Sequence, residues 1–169
     1  AKGVMLSQKN ICANIMGVLK TVHVDSNDIS LSILPIHHTY ECTIGFLAII
    51  YSGGTIAFNE GLRHIQKNFL EVKPTILVTV PLLLENMHKK IWDQIRKKPG
   101  MAILVRTMML IGSILKCIGI DIRRTMFASV HRKFGGRLRL IVTGAAAIDK
   151  EVSNGLNSMG FKVLQGYGL

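Results

Sequence analysis

Acidic residues are scarce in this chain: ten Asp and Glu stand against 21 Lys and Arg in 169 residues, a formal net charge of +11. Cysteine is scarcer still, and Cys12, Cys42 and Cys117 are odd in number, widely spaced and without any CxxC pair. That pattern argues against a disulfide framework or a cysteine zinc site and reads as the reduced thiols of a cytosolic protein. There is no internal repeat and no low-complexity tract, so solenoid and linker architectures are set aside. The chain has no signal-peptide pattern and does not open on Met, and we expect it to be an internal piece of a larger protein. What it has in quantity is apolar: 49% of residues are hydrophobic, including eight Met. That suffices for one core, so a single unit over 1–169 is expected.

The positive charge is concentrated. Residues 88–139 hold 13 Lys and Arg against Asp93 and Asp121, whereas the rest of the chain balances at eight and eight. Inside this segment Met101 to Ile120 is nearly apolar for twenty residues. Its interior Arg106 and Lys116 would each cost about 2.5–3.5 kcal/mol at a bilayer centre, which argues against a span. Arg106, Thr107, Ser113, Lys116 and Cys117 fall on one half of a helical wheel, so an amphipathic helix is expected. Burial against the domain, or against the remainder of the protein, is the simpler use. A peripheral contact with anionic membrane through 88–139 is the sharper one. Nucleic acid is not expected, since no aromatic interleaving or recognised module accompanies the charge.

Strand-like and helix-like segments alternate. Ser7 can cap a helix bearing Ile11, Ile15 and Val18, and Ile29 to Leu34 reads as a strand ended by Pro35. Thr39 can cap a helix reaching Tyr51, Thr55–Phe58 is a short strand, and Leu62 to Val72 is helical before Pro74. Thr75 to Val80 is a β-branched run of the buried parallel type, and Pro81 opens a helix to Arg96. Met101–Ile120 and Arg124–Phe134 read as further helices, giving an all-helical basic insert near 88–135. A strand from Leu138, an Asp149-capped helix to Ser158 and a strand over Phe161–Gln165 complete the order. The fold class is therefore α/β, a mostly parallel sheet with helices on its faces.

The last two strands run into turns of small residues, Thr143-Gly144-Ala145-Ala146-Ala147 and Gln165-Gly166-Tyr167-Gly168-Leu169. Such turns let a flat ligand approach the backbone where open α/β sheets bind ligands, and an aromatic ring beside them offers a stacking face. After the Ile29 strand comes Leu34-Pro-Ile-His-His-Thr-Tyr-Glu41. Adjacent His37 and His38 seldom aim at one ion and no further ligands stand nearby, so no metal site is read here.

These segments, in this order, resemble the adenylate-forming (AMP-binding) enzymes, with Ala1-Lys2-Gly3-Val4-Met5-Leu6-Ser7 similar to the tail of that family's phosphate-binding motif. The resemblance implies that Lys2 closes a phosphate loop and that His38 lies where a substrate carboxylate meets the α-phosphate of ATP. It implies that Thr143, Gly144, Ala145 and Ala146 wall the adenine and acyl groups, together with Gln165, Gly166, Tyr167 and Gly168. Gln8 stands where family members usually have His. Val78-Thr-Val-Pro-Leu-Leu-Leu-Glu85 and Gly135-Gly-Arg-Leu-Arg-Leu140 are similar to the long-chain fatty acyl-CoA synthetase branch. ATP, Mg²⁺ and coenzyme A are the implied cofactors and co-substrates, with fatty acid as substrate and a Mg²⁺ ligand expected beyond Leu169. The resemblance implies a cytoplasmic ligase, with peripheral membrane association as the alternative location, and the chain alone is expected to be inactive. Another acid-activating branch (aryl or medium-chain) and a non-catalytic anionic-membrane-binding fragment are the alternatives.

Overall fold

The computed structural model describes residues 3–166. Ser7 caps α1 (Gln8–Thr21) through a reciprocal box with Asn10, its hydroxyl accepting the Asn10 amide while the Asn10 side chain accepts the Ser7 amide. Five strands follow in chain order: β1 (Ile29–Ser32), β2 (Thr55–Phe58), β3 (Ile76–Thr79), β4 (Leu140–Thr143) and β5 (Val163–Gln165). They pair parallel throughout, in the spatial order β2-β1-β3-β4-β5. All strand carboxyl ends therefore point to one edge. The α/β expectation holds; β2 matches its expected bounds, while the other four strands begin later or end sooner than their apolar runs.

One sheet face carries α1 and the segment after β1, where Ile49 packs on Ile76, Leu140 and Val142. The other face, with Leu31, Leu77 and Ile141, lies under α3 (Ile65–Val72), α4 (Pro81–Arg96), α5 (Met101–Cys117), α7 (Ala128–Lys133) and α8 (Lys150–Ser158). Pro81 occupies the first turn of α4 and Asp149 caps α8 by accepting the Glu151 amide, as their sequence positions imply.

Three elements differ from the sequence reading. The Thr39–Tyr51 segment is a π-helix over Glu41–Leu47 that tightens into α2 (Ala48–Tyr51), and no side-chain bond caps its start. The Arg124–Phe134 helix is split at Phe127 into α6 (Arg123–Met126) and α7, because Phe127 turns into the core at 3% exposure. Helix α5 buries Val105 and Gly112 but leaves most of its Ile and Leu side chains in solvent, so the domain itself does not cover its apolar half. Among the described residues no helix is long and apolar enough to cross a membrane.

At the amino edge of the sheet, buried Asp28 ties three strands together. It accepts hydrogen bonds from Thr75 ahead of β3 and from the guanidinium of Arg139 ahead of β4. Gly135 closes the approach of α7 to α3: a Cβ there would lie 2.4 Å from the Phe69 carbonyl, and its φ of +78° suits only glycine.

Candidate functional site at the carboxyl edge of the sheet

The chain leaves β1 at Ser32, passes Pro35 and turns back at His38, whose amide donates to the Pro35 carbonyl at 3.0 Å. The His38 carbonyl then accepts from Cys42 at 2.9 Å, so the peptide is held while the imidazole faces solvent. His37 is likewise exposed, and the two rings sit 4.4 Å apart at a 44° tilt. A shallow pocket of about 270 Å³ beside this turn is floored by Ser32, Leu34, Pro35 and Ile36. A larger groove of about 470 Å³ lies away from the strand ends, between α3, α4 and α7, and shares only Leu62 with the first.

Beside the His38 turn comes the end of β4. Thr143 pairs in register with Thr79 on one side and Gln165 on the other. The Gly144 amide donates to the Thr79 carbonyl at 3.3 Å and the Gly166 amide to the Thr143 carbonyl at 2.7 Å. Ala145 then takes φ +67°, a left-handed conformation that costs a non-glycine residue about 1–3 kcal/mol and marks functional turns. Thr143 and Gly144 are buried while Ala145, Ala146 and Ala147 present their backbone to solvent, and Gln165 is exposed.

Tyr40 joins the two turns. Its ring lies so close to Gly144 that a Cβ on that glycine would meet Cε2 at 2.7 Å and Cζ at 2.8 Å. Glycine is required there by close approach. The Tyr40 hydroxyl is buried without a partner among the described residues, as are the hydroxyls of Thr79 and Thr143. Burial, then the neighbouring Glu41 carboxylate, push the phenol well above its ordinary range. Glu41 is itself fully buried and raised by burial, with the 2.6 Å bond donated by the Ser32 hydroxyl opposing that shift. Its second oxygen has no partner among the described residues, and the carboxylate lies flat on Gly45, whose missing side chain makes the space.

The structure thus brings together His38, Thr143, Gly144, Ala145, Ala146, Gln165 and Gly166 along one edge. Lys2, Tyr167 and Gly168 lie outside the described residues. Tyr40, Glu41 and Thr79 were not singled out for the site from sequence. An acidic residue opening the apolar run Cys42-Thr-Ile-Gly-Phe-Leu47 was the available signal for Glu41. Among the described residues no three metal-ligating side chains converge, and none is assigned to Mg²⁺. A flat ligand suits the edge better: hydroxyls buried without partners among the described residues, an open strained backbone turn and an exposed imidazole lie together.

Comparison with known proteins gives this edge a context. Two solved structures share the fold over 99% of the chain: the N-terminal domain of FACL13 from Mycobacterium tuberculosis and a malonyl-CoA ligase with methylmalonyl-CoA and AMP bound. The first gives a TM-score of 0.67 at 19% identity over 34% of its chain, the second 0.64 at 15% over 30%. In sequence, long-chain-fatty-acid–CoA ligase 5 of Mus musculus is 31% identical across 99% of this chain, and ligase 4 of Saccharomyces cerevisiae is 30% identical across the same share. The chain spans 26% of the length of each of these relatives. The family model for AMP-binding enzymes matches residues 1–169, which places the edge described above within a known lineage: this chain belongs to the AMP-binding enzymes.

Proposed function

We propose that this chain is part of an AMP-forming long-chain fatty acid–CoA ligase, which converts fatty acid and ATP to acyl-AMP and pyrophosphate and then passes the acyl group to the thiol of coenzyme A. The observation that carries the reading is the junction of the His38 turn with the Thr143–Ala146 turn through Tyr40 and Gly144, in a chain about 30% identical to long-chain ligases. Acyl-adenylate formation joins two anions, so the site must align them and disperse charge. In this reading the exposed His38 imidazole donates to a carboxylate oxygen and orients its attack. The Gly144–Ala146 backbone offers a flat wall to adenine, and the Tyr40 hydroxyl, without a partner among the described residues, supplies a fixed donor beside it. Lys2, Tyr167 and Gly168 complete the phosphate and adenine contacts in the same reading. Mg²⁺ would disperse phosphate charge during the first half-reaction and is assigned no ligand among the described residues.

A cytoplasmic location belongs to the proposal, supported by three unpaired thiols. So does a peripheral contact of 88–139 with anionic membrane, supported by the +11 carried there. The deciding experiment is fatty-acid-dependent ATP–pyrophosphate exchange by the full-length protein across a chain-length panel, followed by coenzyme A. Exchange that peaks with long acids, and thioester only when coenzyme A is added, is expected. Exchange confined to aryl or medium-chain acids would replace the substrate class, and no exchange with any carboxylate would sink the reading.

A further inference from the structure

One acid, Glu41, stands at the head of the apolar run Cys42-Thr-Ile-Gly-Phe-Leu47, and folding buries it completely. A carboxyl taken out of water destabilises a fold unless its oxygens are hydrogen-bonded. Among the described residues Glu41 has one such bond, donated by the Ser32 hydroxyl at 2.6 Å, and its second oxygen has none. An apolar residue would fill the same space without that penalty. Under-satisfied polar groups of this kind gather where geometry serves function.

The backbone around Glu41 is equally unusual. From Glu41 to Leu47 it winds as a π-helix, and the Ala48 amide donates to the Thr43 carbonyl five residues back. Such turns are rare and concentrate at functional sites. The Glu41 carboxyl fills the space that a side chain at position 45 would need, since a Cβ there would lie 2.6 Å from Cδ and from both oxygens. Beyond the π-helix the chain is fixed, with Ile49 packed on Ile76, Leu140 and Val142. Ahead of it the chain carries His38, whose carbonyl accepts from the Cys42 amide. Ser32 ends β1 and Glu41 opens the π-helix, so their bond closes the base of the loop 33–40 on which the imidazole stands. Within that loop Pro35 fixes one backbone angle, and the His38 amide turns back on the Pro35 carbonyl. With the tie cut, the segment is free to rewind toward an α-helix. A shift of one residue in register moves the chain by about 1.5 Å and about 100°.

We infer that Glu41 is a positioning residue for acyl-adenylate formation: tied to Ser32 and seated on Gly45, it holds the π turn and so sets where the His38 imidazole meets the substrate carboxylate. Glu41 itself is fully buried and acts through the loop, and the inference rests on the ligase reading above. The test is ATP–pyrophosphate exchange by the full-length protein with a long-chain fatty acid. Glu41→Ala is expected to lower kcat about 100-fold, the effect of misplacing a reacting group by an ångström, with the KM for ATP unchanged. Glu41→Gln, which keeps an acceptor for Ser32, retains most of the native rate. Ser32→Ala, which deletes a single hydroxyl, falls about tenfold and carries the test if Glu41→Ala does not fold. The decisive readout is the double-mutant cycle with His38→Ala: once the imidazole is gone, neither Glu41→Ala nor Ser32→Ala lowers the remaining rate further. Losses that multiply with that of His38→Ala would show a general structural effect and overturn the inference. So would native rates in both Glu41→Ala and Ser32→Ala, which would leave the ligase reading standing. Absence of exchange in the native protein would instead sink the ligase reading, and this inference with it.

Discussion

Gly144 and Tyr40 occupy one space, and a single methyl group tests it. Gly144→Ala puts a Cβ within 2.8 Å of the Tyr40 ring, so either the ring or the turn must move. Overpacking of this kind costs about 1–3 kcal/mol, and displacing a substrate wall by an ångström costs about 100-fold in rate. We expect exchange by the full-length protein to fall about 100-fold in Gly144→Ala, and Tyr40→Ala on that background to recover part of the stability lost, read as coupling in a double-mutant cycle. Glu41 behaves oppositely to an exposed acid. Burial raises its carboxyl, so between the ordinary value of 4.5 and the raised one the folded state holds the proton more tightly and stability falls as pH rises. Glu41→Gln keeps an acceptor for Ser32 and removes that slope. Its urea midpoint should exceed the native one at pH 8, and the difference should vanish near pH 4, each unit of displacement being worth about 1.4 kcal/mol. Thr143 and Gly144 were legible in the sequence because they close an apolar β-run with turn formers, whereas His38 was legible only through the resemblance of its segment to the AMP-binding enzymes. Tyr40 and Glu41 were not, because their partners Gly144 and Ser32 lie elsewhere in the chain and only folding brings them together.

Helices α4 and α7 each bury a histidine against α8 or its end. His88 accepts from the Trp92 indole at 2.9 Å beneath Gly155, and His131 meets the Met159 carbonyl at 2.9 Å while stacking on Phe161. Burial lowers both imidazoles; Glu151 and Asp149 oppose it at His88, the Met159 carbonyl at His131, and Arg96 and Arg124 respectively reinforce it. With folded values depressed, the unfolded chain takes up protons first as pH falls below about 6.5, and stability is lost from there down to the folded values. Urea midpoints measured from pH 8 to pH 5 should fall, and less steeply in His88→Gln or His131→Gln. Helix boundaries were readable where local chemistry sets them, at Ser7, Pro81 and Asp149. The π-helix was not, since it depends on Glu41 lying against Gly45 while reaching Ser32 on β1. Nor was the orientation of α5: periodicity reveals two faces of a helix without saying which one the protein covers.

Across the whole molecule, Asp28 and Arg139 join segments 111 residues apart. Burial would raise the Asp28 carboxyl, but hydrogen bonds from Arg139, Thr75 and the Asp25 amide, with the Arg139 charge, outweigh it and hold it below the usual range. Stability from this group is therefore present above the ordinary aspartate value of 3.8 and is lost as pH falls through the depressed one. Removing one partner of a buried pair costs about 3–5 kcal/mol; with Arg139 39% exposed, Asp28→Ala should cost about 2–3 kcal/mol in chemical denaturation. Arg139→Ala should cost less than that plus the loss of Thr75, because Thr75 still holds the carboxylate. The parallel topology was legible from the alternation of runs, whereas this clamp was invisible until β3 and β4 were neighbours. The clamp sits at the amino edge of the sheet and the His38, Tyr40 and Gly144 cluster at the carboxyl edge, one strand length apart. Sites that far apart and sharing no partner contribute independently. Turn residues at the carboxyl edge can therefore change one at a time without each change threatening the frame that holds them.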